Sequence, residues 1–146
     1  MENVLIVSNT NTTMGIISDL LRTETFNRII TTQNGAQARR YINELDFDLI
    51  IIDTPLPDEM GDDLSMTAAE KSSAGIILII DQQNVLEIGA EVEDYGVFAL
   101  PKPISSEFFY QSVKLLTASR KRVMNLENEN QKLQKKIEEI RIVDRA

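Results

Sequence analysis

The sequence predicts an α/β domain, a doubly wound parallel sheet with helices on both faces, continued by an extended C-terminal coiled-coil helix. Three observations carry this reading. Short β-branched runs alternate with stretches of helical length and pattern through residues 1–112. Two of the runs, Leu49-Ile50-Ile51-Ile52 and Ile76-Ile77-Leu78-Ile79-Ile80, are wholly apolar, as strands covered on both faces should be. After Pro103 neither Gly nor Pro occurs, so nothing in the chain stops a helix there. Five strands alternating with five helices make a parallel, doubly wound sheet.

The elements follow in order. Val4-Leu5-Ile6-Val7 is the first strand, and the neutral polar run Ser8-Asn9-Thr10-Asn11-Thr12-Thr13 leads from it into a helix over about 13–24. Arg28-Ile29-Ile30-Thr31-Thr32 is the second strand. Asn34, with Gln37 three residues later, fits the N-cap of a helix over 35–45. The third strand ends in Asp53-Thr54 before a helix over 61–71, and the fourth ends in Ile80-Asp81-Gln82 before a helix over 84–94. Val97-Phe98-Ala99-Leu100 is the fifth strand; it runs into Pro101-Lys102-Pro103, and the last helix starts at 105. Such sheets bind ligands outside the carboxyl ends of their strands. Ser8, Asn9, Asp53, Asp81 and Lys102 therefore mark the face where chemistry is expected.

Composition narrows the function class. The chain has 146 residues and no Cys, so disulfides and thiolate metal sites are excluded. Its apolar runs are too short to span a membrane and its first ten residues lack the pattern of a secretory signal, so a cytoplasmic protein without membrane contact is expected. The net charge of −8 hides an asymmetry: residues 1–112 hold 6 basic and 18 acidic side chains, whereas residues 113–146 hold 9 basic and 5 acidic. The division suggests two parts, residues 1–118 as the sheet domain and 119–146 as a dimerisation helix. The acidic part would repel nucleic acid phosphates.

The stretch Asp48-Leu-Ile-Ile-Ile-Asp53-Thr-Pro-Leu-Pro57, then Gly61, then Lys102-Pro103 resembles the receiver domain of two-component response regulators over about residues 2–118. The resemblance implies a flavodoxin-like (CheY-like) five-stranded sheet of order 2-1-3-4-5. It also implies that Asp53 is the phospho-acceptor position, Lys102 the phosphoryl-contact lysine and Pro103 a cis-proline. The sequence departs from the family elsewhere. Ser8 and Asn9 stand where two adjacent acids would help bind Mg²⁺, a hard ion that wants charged oxygen ligands. Ile80 or Asp81, depending on a one-residue alignment choice, stands where a Ser or Thr would sense the phosphoryl oxygen. The aromatic switch position falls on Phe98 or on Ala99. No cofactor is expected, beyond a weak Mg²⁺ site, and the pocket is expected to hold a standing Asp53–Lys102 pair. Because phosphoryl transfer rests on electrostatic stabilisation, such a site should be slow or silent. A second resemblance, of Ser8, Thr10 and Thr13 to the phosphate loop of flavodoxins, implies an FMN carrier instead, but it leaves Asp53-Pro57 and Lys102-Pro103 unexplained and lacks the loop's Gly.

Beyond the sheet, Leu116, Ser119, Val123, Leu126, Asn130, Leu133, Ile137 and Ile140 recur at spacings of three and four. This is a heptad seam with Leu116, Val123, Asn130 and Ile137 at a, and Ser119, Leu126, Leu133 and Ile140 at d. One Asn among the a residues favours a parallel homodimer, because paired amides satisfy each other only in register. Arg122 faces Glu127 favourably across such a dimer; Lys136 faces Arg141 unfavourably. The terminal segment with Ile142, Val143 and Arg145-Ala146 resembles the coil leading into an ANTAR domain, the RNA-binding module of antitermination regulators. That resemblance implies RNA contact only through a C-terminal module missing from these residues. The expectation is a regulatory protein, not an enzyme. It would answer a sensor kinase or another protein on a surface of residues 84–114, and act through its dimeric coil.

Overall fold

The computed structural model describes residues 3–22 and 26–145, the last five as backbone only. Its elements are β1 (Asn3–Val7), α1 (Asn11–Leu21), β2 (Arg28–Thr32), α2 (Gly35–Glu44), β3 (Leu49–Asp53), α3 (Gly61–Lys71), β4 (Gly75–Asp81), α4 (Val85–Glu93), β5 (Val97–Lys102) and α5 (Ser106–Arg145), with one 3-10 turn at Gln82–Asn84. The strands form one parallel sheet in the order β2-β1-β3-β4-β5. The expected α/β fold with order 2-1-3-4-5 is therefore observed. Two ends differ from the sequence reading. α1 starts at Asn11, ahead of position 13, with Thr10 as an extended cap. β5 continues through Pro101 to Lys102, which is tolerated because β5 is an edge strand and a missing ladder donor matters little there.

Side chains alternate across the sheet, and this divides the core. Leu5, Val7, Ile50, Ile52, Ile76, Leu78 and Ile80 meet α2, α3 and α4 through Ala38, Ile42, Leu64, Ala68 and Val92. Val4, Ile6, Leu49, Ile51, Ile77, Ile79 and Leu100 meet α1 and α5 through Ile17, Leu21, Phe109 and Val113. Every residue of β3 is buried, which explains its unbroken apolar run.

The loop after β3 is tied to α2. Asn34 caps α2 by accepting from the Gln37 amide at 2.9 Å, and Gln37 Oε1 accepts from the Gln33 amide at 3.0 Å. Asp58 accepts from the amides of Gly35 and Ala36 at 2.8 and 3.0 Å; these two bonds, Gly35's first, hold its carboxyl below the usual carboxylate range. Glu59 takes both Arg39 Nε and Arg39 Nη2, at 2.9 and 2.6 Å, and that hydrogen-bonded pairing raises the guanidinium's pKa.

α5 has 40 residues, a length of roughly 60 Å at 1.5 Å per residue. Its first part is docked: Phe109 and Val113 are buried, and Leu116 packs against the same face of the core. A Cβ added at Gly75 would lie 2.9 Å from Leu116 Cβ, so only a glycine lets the helix sit this close to β4. At its amino end β3 adds an ionic contact. Asp48 Oδ2 accepts from the Asn3 amide at 2.8 Å, while Asp48 Oδ1 pairs with Arg120 Nη1, and Arg120 Nη2 donates to Ser73 Oγ at 3.2 Å. Leu116, expected in the dimer seam, is partly buried and packs one side of its side chain on the domain's own core. The docked part of α5 also reaches Arg120, past the expected boundary at 118/119. Beyond it Val123, Leu126, Leu133, Ile137 and Ile140 are 49–60% exposed, and Asn130 is exposed with them. The side chains of Arg141, Ile142, Val143 and Arg145 lie outside the described residues, as does Ala146.

Two measurements check these contacts. Arg120→Ala leaves Asp48 without its cation at a site where both side chains are under 20% exposed, and should lower unfolding stability by about 2 kcal/mol in denaturant titration, somewhat below the roughly 3–5 for breaking a fully buried pair. Asp58 has a depressed folded pKa, so its contribution is present above its unfolded value near about 4 and is lost as pH falls through that range. The thermal midpoint should therefore drop less between pH 5 and 3 in Asp58→Asn than in the parent chain.

Candidate functional site

Asp53 is the last residue of β3, where Pro55 and Pro57 end the strand. It is 4% exposed, at the centre of the carboxyl edge, so its charge needs partners. Ser8 continues the line of β1, its amide donating to Thr32 O at 2.9 Å, and is fully buried beside Asp53. The single hydroxyl proton of Ser8 has Asp53 Oδ2 at 2.9 Å and Thr10 O at 3.2 Å; the charged acceptor is both nearer and stronger. Thr10 N donates to Ser8 Oγ at 3.3 Å, a further brace for the turn.

Lys102 comes from β5, two strands away, and its long stem carries Nζ across β4. The ammonium lies 3.3 Å from Asp53 Oδ1 but directs a proton to the carbonyl oxygen of Thr54. Asp53 Oδ1 thus has the cation's field without a directed hydrogen bond, and it is a buried oxygen with no hydrogen-bond partner. The site holds one carboxylate and one ammonium, which balance. Asn9 is exposed. Among the described residues no three acidic or other ligating side chains converge as a metal cluster. The donors near the edge are one carboxylate, the Ser8 hydroxyl and the Thr54 carbonyl, the last two already engaged.

The register settles where the other candidates stand. Ile80 lies opposite Pro101 and Asp81 opposite Lys102. Ile80 is 2% exposed and turned to the face of α2–α4, whereas Asp81 is exposed; neither offers a hydroxyl to the pocket. Phe98 is 39% exposed and shares the parity of Leu100 on the α1/α5 side. Ala99 has the parity of Ile80, 3.6 Å from where a Cβ on Gly89 of α4 would stand. The β5 residue facing α4, opposite Leu78, is therefore a methyl group and no aromatic ring. Beside these lies a pocket of about 200 Å³, bounded by Thr54, Met60, Gly61, Ile80, Asp81 and Ile88.

Lys102–Pro103 is cis, as the resemblance implied; Thr54–Pro55 is cis as well. Sequence reasoning missed Thr54. Its Oγ1 donates to Ile79 O at 2.7 Å, which holds the carbonyl that receives Lys102. Gly61 belongs to the same arrangement, since a Cβ there would stand 2.1 Å from Thr54 Cγ2. The only signal was the glycine's place in the motif, because a carbonyl acceptor carries no side-chain signature. The phosphate-loop reading of Ser8-Thr13 meets a physical obstacle: the Ser8 hydroxyl is buried and committed to Asp53, so it cannot line an open anion site.

The family model for the response regulator receiver domain matches residues 4–114. No curated protein matches the chain. Among solved structures, an adenylate cyclase from Rhodopirellula baltica superposes with a TM-score of 0.80 at 18% identity, over 90% of this chain and 98% of that one. The chemotaxis response regulator CheY4 of Vibrio cholerae gives 0.67 at 19%, over 80% and 98%. The beryllofluoride-activated NtrC4 receiver domain dimer gives 0.73 at 24%, over 82% and 99%. At these identities the structures speak for the fold, and the family match speaks for descent. No helix among the described residues is long and apolar enough to cross a membrane. With Asp53, Lys102 and a cis Pro103 in place on a 2-1-3-4-5 sheet and the family model matched over most of its length, this chain belongs to the response regulator receiver domains of two-component signalling.

Proposed function

We propose that this receiver is an atypical one, regulated without a tight Mg²⁺ site, and that it acts as a dimeric signalling module. The single observation that supports the reading is the balanced Asp53–Lys102 pair, with Ser8 Oγ on the other carboxylate oxygen. The family's dication needs charged oxygens in an octahedral shell. Here one carboxylate is offered, its charge already met by Lys102, and Asn9 is turned to solvent. The residues do not fit the ion. Self-phosphorylation of Asp53, the conventional reading, loses its electrostatic support, and the chain is read as a regulator and not an enzyme.

Signalling then falls to a protein partner, a sensor kinase or another regulator, on residues 84–114. Leu86, Phe98, Phe108 and Tyr110 of this stretch are exposed apolar or aromatic side chains. The output falls to α5, as a parallel coiled-coil homodimer through Val123, Leu126, Asn130, Leu133, Ile137 and Ile140. The resemblance of the terminal segment to the coil before an ANTAR domain makes transcription antitermination, by RNA binding through such a module, the candidate output.

Titration with Mg²⁺ and beryllium fluoride, followed by amide NMR, should leave Asp53, Lys102 and residues 84–114 unshifted, whereas the double change Ser8→Asp, Asn9→Asp should bring saturable shifts. Saturable shifts in the parent chain would reinstate the conventional Asp53-phosphorylated switch. The protein should sediment as a dimer at micromolar concentration, and Asn130→Leu should change its dissociation constant or its stoichiometry; a monomer indifferent to that change rejects the coil. An FMN carrier would be yellow or take up the flavin in titration, and this chain should do neither.

A further inference from the structure

The heptad line and the body of the domain are not separate. Leu116, Ser119 and Val123, three successive a, d and a positions, line a groove of about 280 Å³ between α5 and the turns that precede β4 and β5. Gly75, Tyr95 and Met124 also border it. Its floor is of small residues. A Cβ added at Gly96, the turn residue with φ +76°, would meet nothing within 4 Å, and Ser119 leaves a gap on the helix side. Tyr95 and Met124 stand 41% and 38% exposed at its rim, among the polar Ser72, Ser73, Ser119 and Arg120, so apolar side chains carry the groove toward the seam.

We infer that the second copy of this chain seats in this groove, so that the dimer interface climbs from the coil onto the receiver body. The inference rests on the dimer reading above and deepens it. The seam itself argues for a like helix as occupant, since its spacing continues through Ser119 into the groove. The exposed coil is also small. From Val123 to Ile140 it offers five apolar side chains and one Asn, while stable interfaces use about 20–30 residues a side. Leu115 supplies the contact from the other copy. It is 64% exposed and precedes an a position, hence at g, and in a parallel pair a g side chain lies beside the partner's next e position, here Arg120. The Asp48–Arg120 contact holds that guanidinium flat on its own body, leaving its stem as a surface for Leu115 of the second copy. The clasp thus fixes where α5 leaves the sheet and shapes the groove.

The chain has no cysteine, so single-cysteine variants report the interface directly. Ser119→Cys and Leu133→Cys, both at d, are oxidised separately under mild conditions in otherwise unaltered chains. Both should form covalent dimers in high yield, and Leu115→Glu should reduce cross-linking at 119 at least tenfold while sparing that at 133. Cross-linking at 133 but not at 119 would overturn the groove and leave the coil standing. Failure at both positions, with a monomer in sedimentation, would overturn the dimer itself. Equal cross-linking at 119 with and without Leu115→Glu would remove Leu115 from the interface and with it the proposed seating.

Discussion

Burial of β3 on both faces is the constraint from which the rest follows. Leu49 to Ile52 have no contact with water, so ionisable groups can stand only at the two ends of the run, and each end is flanked by an aspartate. Asp53 at the carboxyl edge is met by Lys102, and Asp48 at the amino edge by Arg120. A buried carboxylate without its cation would be strongly unfavourable, so each cation has to be delivered from a distant element. Lys102 arrives from β5 and Arg120 from α5. The two ion pairs therefore fasten the edge strand and the last helix to the same central strand.

The two ends differ in what surrounds the pair. At the carboxyl edge Ser8 donates to the second oxygen of Asp53, and Lys102 divides itself between Oδ1 and the Thr54 carbonyl. The pocket is neutral as it stands. In a pocket of three carboxylates, like charges would repel until a dication joined them; on the proposed reading Ser8 and Asn9 stand in two of those places, which would remove the repulsion and with it the demand for the ion. On the proposed atypical reading, the methyl group of Ala99 and the side chain of Ile80 would take the places of the groups that sense a phosphoryl signal.

At the amino edge the pair serves geometry. Arg120 lies beyond the stretch matched by the family, residues 4–114, yet it reaches back to β3. The extension thus leaves the sheet as a rigid continuation of α5 rather than as a tethered coil. Any change in how α5 packs on the second core face is transmitted along a single helix, and a single helix of this length magnifies small rotations at its base into large displacements at its tip.

The alternation of apolar strands and amphipathic helices, the buried apolar runs of β3 and β4, the N-cap at Asn34 and the positions of Asp53 and Lys102 were all determined by the sequence alone, because periodicity and local capping are properties of neighbouring residues. The long uninterrupted helix was legible for the same reason. Tertiary structure alone decided which side of the sheet each residue of β5 faces, and hence that Ala99 and not Phe98 faces α4. It also decided that Leu116 packs against the domain core, that Thr54 offers its carbonyl to Lys102, and that Asp48 finds Arg120. Strand parity depends on register with β4, and a contact between residues 72 positions apart depends on how α5 crosses the sheet. Neither is written in the spacing of adjacent side chains.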